Sequence, residues 1–254
     1  FREAVTAAAS PRIEQAYAKA VLFDYSYKYF YEDGYGKDYR IFNIPKSQED
    51  VEFLYLTGCL LTFYQQLALY EVRKAEYAEF NLEKPLWVFV GGSVSKAVTS
   101  KKVKSKVVVE VDETASDVVQ VLSFLARFLA DPDRAKAAVQ SLLRKKGDET
   151  GLVSNNVDIF HGAFLYLLQQ MQSGKTVEVI HGDILTKLFN NSAGGLLQVQ
   201  RLKGDSGELV LLAGEASQHF GLINVGDALG LSKHLESLQK SDALPPMVVG
   251  DSHF

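Results

Sequence analysis

The sequence predicts an α/β fold in which helices cover a parallel sheet, and three observations lead to that class. Residues 86–90 are five apolar residues without alternation, between Pro85 and two glycines, which is typical of a strand buried on both faces. Segments with helical spacing alternate with such strands along the chain. Lys203-Gly204-Asp205-Ser206-Gly207 separates two apolar runs, which predicts a small β-hairpin insertion.

The first third of the chain predicts helices and two short strands. Alanine-rich residues 1–20 favour a helix, and residues 21–27 begin as a strand. Residues 33–38 have the composition of a turn, and residues 39–44 form a second predicted strand. A long helix is then predicted over residues 48–80, where apolar residues keep helical spacing after the N-cap candidate Ser47.

The middle of the chain is predicted to be mainly helical. A lysine-rich loop follows the 86–90 strand, and residues 107–111 form a predicted strand. An amphipathic helix is predicted over residues 115–130. Asp131 and Pro132 then supply the N-cap and first-turn proline of a helix that Gly147 ends. A further helix is predicted over residues 157–172.

The last third predicts shorter elements. The expected strands cover residues 176–180, 196–202, 208–213, 220–224 and 247–249, and the expected helices cover residues 182–190 and 227–240.

Composition limits the class of protein. With 47% hydrophobic and 23% charged residues, the 254-residue chain has the make-up of a soluble globular protein with a real core. A net charge of -4 gives no general attraction to nucleic acid, so such a site must be a local patch. The single cysteine, Cys59, excludes an intrachain disulfide and fits a reducing compartment, so we expect a cytoplasmic protein. No apolar run approaches the ~18 residues that span a bilayer, and no membrane partner is expected.

Five lysines follow the 86–90 strand closely, at positions Lys96, Lys101, Lys102, Lys104 and Lys106. Because lysines that neutralise phosphates supply much of the affinity for nucleic acid, this run is a candidate backbone contact. A solvated surface loop has the same composition, and this alternative stays open.

Other patterns give weaker indications. Gly174-Lys175-Thr176 resembles the end of a phosphate-binding loop, but a helix precedes it, a strand is expected after it, and the upstream glycine is replaced by Gln169. A helix cap at Gly174 therefore explains it better. The five histidines lack zinc-ligand spacing. His181-Gly182-Asp183 would suit a general base with a carboxylate, yet no nucleophile accompanies it.

Two further patterns have two interpretations each. Tyrosines 25, 27, 29, 31 and 35 either stack bases or pack on an interdomain surface, and packing is the more frequent use. Asp227 follows a predicted strand and opens a helix, which suits a bound anion or a plain N-cap.

Three segments together resemble one family. They are Val21-Leu22-Phe23-Asp24-Tyr25-Ser26-Tyr27-Lys28-Tyr29-Phe30-Tyr31-Glu32-Asp33-Gly34-Tyr35-Gly36-Lys37-Asp38, Lys84-Pro85-Leu86-Trp87-Val88-Phe89-Val90-Gly91, and Phe220-Gly221-Leu222-Ile223-Asn224-Val225-Gly226-Asp227-Ala228. In this order they resemble the middle of DEAD/DEAH-box helicase-like proteins related to the Res subunit of type III restriction enzymes.

The resemblance implies a fold and a function. In that family two RecA-like domains bind ATP and magnesium between them and translocate on DNA, and a modification (methyltransferase) subunit is a further expected partner. Residues 1–82 would end the first RecA-like domain and include the connecting helix, and residues 83–254 would begin the second, with a β insertion around residues 176–223. The 86–90 strand would lie at helicase motif IV, which makes Ser93 and Lys96 candidate nucleic-acid contacts, together with Lys101, Lys102 and Lys104.

The motifs that hydrolyse ATP are missing from this sequence. It has no phosphate loop in the right context, no D-E-A-D/H box and no arginine-rich motif VI. Since Phe1 is not an initiator methionine, we expect an internal piece of a larger motor. It would have no catalytic or cofactor-binding residues of its own, with ATP and magnesium bound by the parent. The alternative is a non-enzymatic α/β module that binds nucleic acid or another protein.

Overall fold

The computed structural model describes residues 25–36, 49–90, 99–103, 106–110, 117–202 and 207–251. The chain forms two compact units, Phe1–Asn43 and Ile44–Phe254. Within the described ranges, nine helices and eight strands form a mixed α/β structure, so the predicted combination of helices and strands is confirmed. The division into domains at residue 82 stays a prediction.

In the first unit, residues 25–36 form one short helix followed by a turn. Helix α1 is Tyr27–Glu32, so the strand predicted over residues 21–27 is wrong at Tyr27. The chain turns at Asp33 and Gly34 as predicted, and the Tyr25 hydroxyl donates a hydrogen bond of 2.6 Å to Asp33. The predictions for residues 1–20, 21–24, 37–38 and 39–44 lie outside the described residues.

The second unit begins with the predicted long helix. Helix α2 is Glu49–Val72, and after a break at Arg73 the short helix α3 is Lys74–Ala78. The buried side of α2 includes Leu60, Leu61 and Tyr64, each fully inaccessible to solvent. Besides the adjoining α3, the helices α5 and α8, defined below, pack on α2.

Residues 86–90 correct the sequence prediction. The stretch from residue 82 to residue 90 contains no helix or strand, so the predicted strand is wrong. Leu86, Val88 and Val90 are 85%, 69% and 92% exposed, and only Trp87 is half-buried, with its ring 5.8 Å from that of Phe63 on α2. An apolar run needs a neighbouring strand to satisfy its backbone groups, and none of the described strands pairs with this one.

The predicted lysine-rich loop contains a strand. Strands β1, Thr99–Val103, and β2, Lys106–Glu110, form an antiparallel hairpin in which Lys101 is in register with Val108. The strand predicted at residues 107–111 is thus confirmed as β2, while the loop prediction is wrong at residues 99–103.

Two adjacent helices follow the hairpin, largely as predicted. Helix α4 is Asp117–Ala130 and helix α5 is Pro132–Arg144. The Asp131 carboxylate accepts the backbone N–H of Arg134 at 2.9 Å, which confirms the predicted N-cap. Gly147 does not end α5, because it begins the short helix α6, Gly147–Thr150.

The next segment shows how tertiary packing overrides local preference. A small ladder of β3, Val153–Ser154, and β4, Val157–Asp158, occupies the start of the helix predicted over residues 157–172. Helix α7 covers only Leu165–Gln172, and helix α8 is Val177–Phe189. The strand predicted over residues 176–180 is therefore wrong. Its β-branched residues favoured a strand, but Ile180 and Ile184 are fully buried at helical spacing.

A four-stranded sheet closes the unit, with strand order β7-β6-β5-β8. The strands are β5 Leu197–Arg201, β6 Glu208–Ala213, β7 Gly221–Asn224 and β8 Met247–Asp251, and helix α9, Ala228–Lys240, precedes β8.

The sheet is mixed, which corrects the prediction of a parallel sheet. The predicted hairpin is confirmed as β5 and β6, but these are the two central strands and not an insertion in another sheet. Only β5 and β8 run parallel, with Val199 in register with Val249. Helix α9 packs on β5 and β8, and α4 packs on β5. In the part of the chain that the structure describes, no helix combines the length and the apolar character needed to cross a membrane.

Candidate functional site

The predicted nucleic-acid contacts are only partly described. Lys101 and Lys102 occupy neighbouring positions of β1, in register with Val108 and Val107 of β2. Ser93, Lys96 and Lys104 lie outside the described residues. The structure thus places two of the five candidates on one strand of a hairpin, and their role stays a prediction.

A charged cluster that the sequence did not predict joins α2 to α8. It consists of Tyr64, Glu71, Lys175, Asp183 and Lys187 and is called the polar latch below.

Tyr64 is the centre of the polar latch. Its side chain is fully buried, and its hydroxyl donates a hydrogen bond of 2.5 Å to Oδ2 of Asp183. The same hydroxyl accepts a hydrogen bond of 3.3 Å from Nζ of Lys175, which lies 3.5 Å from that carboxylate oxygen. Burial, and then the bond to Asp183, raise the pKa of Tyr64 above its ordinary value, so the phenol stays protonated.

The other end of the polar latch is an ion pair. Nζ of Lys187 bonds to Oε2 of Glu71 on α2 and lies 3.9 Å from Oδ1 of Asp183. The hydrogen bond to Glu71 raises the pKa of Lys187 above its ordinary value. Two ammonium groups thus face two carboxylates around a protonated phenol. This balanced set binds two helices together and leaves no activated nucleophile among the five groups.

Two weak sequence motifs contribute to the polar latch. Lys175 belongs to the phosphate-loop lookalike and Asp183 to His181-Gly182-Asp183, and no sequence pattern connects the two motifs. Tyr64 lies 111 residues before Lys175 and 119 residues before Asp183, so no local sequence spacing predicts the cluster. Its only sequence signal is a hydroxyl on the apolar side of a predicted helix, where a buried tyrosine needs a partner.

The phosphate-loop lookalike is a connection between two helices. Gly174, with φ of +99°, follows the end of α7, which confirms the predicted helix cap. Thr176 is the N-cap of α8, since its hydroxyl oxygen accepts the N–H of Val179 at 3.4 Å. A phosphate loop requires a strand before the turn, and here a helix precedes it.

His181 and Asp183 have different environments within α8. Asp183 belongs to the polar latch. His181 is only 6% exposed, its ring lies 5.7 Å from that of Phe128, and its Nε2 has no hydrogen-bond partner among the described residues. The strand end predicted before His181 is wrong, because His181 is helical, whereas the helix predicted over residues 182–190 is confirmed at Asp183.

A second contact from α2 positions the start of α7. The side-chain oxygen of Gln65 accepts the backbone N–H groups of Tyr166 and Leu167 at 3.1 and 3.3 Å, and its amide donates to the carbonyl of Ala163 at 2.8 Å. The first N–H groups of a helix have no partner within it, and Gln65 satisfies two of them from another helix. Adjacent residues of α2 therefore hold both α7 and α8.

Two candidates remain: Asp227, which has a structural role, and the aromatic cluster of the first unit, for which both interpretations remain. The carboxylate of Asp227 accepts the N–H of Gly230 at 2.8 Å, so it is the N-cap of α9. In the first unit, the rings of Tyr27 and Tyr31 lie 6.1 Å apart and that of Phe30 lies 5.7 Å from Tyr35. These rings pack on one another while 39% to 68% exposed, which is compatible with both of their predicted uses.

The described ranges contain a small cavity and no metal cluster that would mark an active site. A cavity of about 170 Å³ lies between α2 and α4 and is lined by Phe53, Phe124 and the paired Glu49 and Arg127 among others. This is smaller than the ~300–1,000 Å³ of most small-molecule sites. Among the described side chains, no three His, Cys, Asp or Glu residues are grouped closely enough to hold a metal ion.

Comparison with known proteins identifies no relative of this chain. No protein-family model, no curated protein and no solved structure matches this chain.

Proposed function

We propose that this chain is an internal segment of an ATP-dependent nucleic-acid translocase that resembles the Res subunits of type III restriction enzymes. The supporting observation is the parallel pair β5–β8, with α9 between the two strands in sequence and packed on both. This is the local arrangement of a parallel α/β domain, and the third resembling segment supplies β7 and the start of α9 within it.

The two RecA-like domains of such a translocase would divide this chain after residue 82. Residues 1–82 would complete the first RecA-like domain and contain the connecting helix, for which the 24-residue helix α2 is the candidate. Residues 83–254 would begin the second domain. Neither part contains the groups that bind ATP and magnesium, which the rest of the parent would supply. DNA and a modification subunit are the proposed partners of the parent.

Catalytic incompleteness is the first consequence to test. The purified chain is expected to show no ATP hydrolysis above buffer, with or without single- or double-stranded DNA, in an assay of released phosphate. A parent protein containing G-x-x-x-x-G-K-[ST], D-E-x-[DH] and an arginine-rich motif should hydrolyse ATP in the same assay. DNA-stimulated turnover by the 254-residue chain alone would refute the proposal.

DNA binding by the lysine-rich segment is the second consequence. The triple change Lys101→Glu, Lys102→Glu and Lys104→Glu should weaken binding of labelled DNA, because each lysine that neutralises a phosphate releases a counterion. The slope of log affinity against log salt should become shallower by about 2 to 3. Charge reversal of three exposed lysines elsewhere, Lys84, Lys145 and Lys233, controls for net charge. Identical salt curves for the two triple variants would contradict a specific role of the segment.

An interaction module is the second candidate function, and one observation favours it. Residues 86–90 present four apolar side chains that are 44% to 92% exposed, and clustered exposed apolar residues mark protein-binding surfaces. The coding sequence on either side distinguishes the two functions. Helicase motifs on both sides favour the motor, whereas a stop codon and a start codon flanking the segment favour the module.

A further inference from the structure

His181 is a titratable side chain enclosed in the helical core. It lies on α8 with 6% of its surface exposed, and its Nε2 has no hydrogen-bond partner among the described residues. Its ring lies 5.7 Å from Phe128 of α4. A buried polar atom without a partner is destabilising, and a buried charge is more so, so this environment tolerates only the neutral ring.

The charges around His181 also oppose protonation. From α5, Lys136 acts on the ring as a like charge, and α4 presents the uncharged Phe128. Glu178 lies one turn earlier on α8, where it interacts with Lys136 and Arg144 of α5. From α2, the ionisable groups that contact α8 are those of the polar latch, and they bind Asp183 and Lys187. Burial first, and Lys136 second, lower the pKa of His181 below its ordinary value of 6.5.

We propose that His181 is an acid-sensitive switch, whose protonation releases helix α8 from α4 and α5. The neutral imidazole packs as a flat, largely apolar ring. The imidazolium has two N–H donors and a charge that these surroundings do not stabilise, so α8 must open to let water reach it.

The direction of the pH dependence follows from the lowered pKa. The packed state binds fewer protons than the open state, so its stability is complete above about pH 6.5 and decreases as the pH falls below that value. In this range the equilibrium constant for opening increases by up to about tenfold per pH unit, until the pKa of the packed state is reached. The two states of the switch are α8 packed and α8 open.

Hydrogen exchange measures this opening directly. Protection factors of amides in α8, at residues 177–189, are compared between pH 7.5 and 5.5 after correction for the intrinsic rate. The wild-type protein is expected to lose protection in α8 by up to about tenfold in this interval, with a smaller loss in residues 54–70 of α2. His181→Leu should keep nearly constant protection in α8. His219→Gln, which changes an exposed histidine, should behave like the wild type.

Two further measurements test the proposal even if the His181→Leu variant does not fold. An NMR titration of the wild-type histidines should give His181 a pKa below 6.5, and a value at or above 6.5 overturns the proposal. Lys136→Met removes the facing like charge and should reduce the acid-induced loss of protection. Equal loss in the wild type, His181→Leu and Lys136→Met also overturns it.

Discussion

Two runs of this chain each consist of five apolar residues, yet they have opposite environments. Residues 86–90, Leu-Trp-Val-Phe-Val, contain no regular structure, and four of the five side chains are exposed. Residues 209–213, Leu-Val-Leu-Leu-Ala, form most of β6, where every side chain is at least 93% buried. Hydrophobicity alone therefore does not decide which run enters the sheet.

The difference lies in the availability of a neighbouring strand. A hairpin joins β6 to β5, and β7 follows β6 closely in sequence. Both partner strands of β6 are therefore near in the chain, and closing the short loops to them costs little conformational entropy. The 86–90 segment follows Pro85 at the end of a helical region, and no described strand pairs with it. A strand forms where its backbone groups find partners, and burial of its side chains accompanies that pairing.

The largest effect should come from a charge placed in each run. Leu209→Asp puts a carboxylate at a fully buried position, and the cost of about 5 kcal/mol or more approaches the whole stability of a typical domain. Leu86→Asp, at an 85% exposed position, should change the free energy of unfolding by less than about 0.5 kcal/mol. Urea titrations followed by circular dichroism measure both. Similar losses in the two variants would show that the runs have similar environments in solution.

The second effect concerns the end of β6. Gly214 has φ of +52°, and a Cβ there would lie 2.4 Å from the carbonyl oxygen of Gly194. Gly214→Ala should therefore destabilise the protein by about 2–3 kcal/mol, since it adds a backbone clash to the left-handed strain. Gly174→Ala is the matched control, because φ is +99° there but no atom lies within 4 Å of the added Cβ. It should cost only about 1 kcal/mol, and an equal cost at both glycines would exclude the close contact.

These two runs also show what the sequence could predict. The hairpin of β5 and β6 was predictable because its turn residues lie next to the strands they connect. The amphipathic helix α4 and the Asp131 and Asp227 caps were predictable for the same reason, since each signal is local. The strand prediction at residues 86–90 was wrong because its missing element, a partner strand, lies outside any sequence window. At residues 176–180, burial against other helices outweighed a β-branched run.

The candidate site was less predictable than the fold. Lys175 and Asp183 belong to motifs that indicate other roles, and Tyr64 belongs to no motif. Their meeting depends on how α8 packs on α2, which is a tertiary contact across more than a hundred residues. Electrostatic clusters of this kind have no periodicity along the chain, so a single sequence gives the residue types without their proximity.

The third prediction tests the one anchored residue of the exposed run. Trp87 is half-buried, with its ring 5.8 Å from Phe63 and 4.5 Å from Phe89. Trp87→Ala should cost about 1–2 kcal/mol, less than the ~3–5 kcal/mol of a fully buried tryptophan. Trp87→Phe keeps a ring at this position and should recover most of the loss. A loss of 3 kcal/mol or more in the alanine variant would mean that the segment packs more completely than its exposure indicates.

The smallest effects come from a matched pair of nearly isosteric changes. Val210→Thr places a hydroxyl at a position that is 7% exposed on β6, and Val88→Thr does so at one that is 69% exposed. The first should cost about 1–2 kcal/mol because the hydroxyl loses hydration, and the second less than about 0.5 kcal/mol. Trp87 is the only tryptophan, so its fluorescence follows the exposed run while circular dichroism follows the whole fold. In the Val88→Thr variant, both signals should keep their wild-type urea midpoints. A shift of the fluorescence midpoint alone would show that residues 86–90 are stabilised locally by Val88, and the contrast between the two runs would then be one of degree.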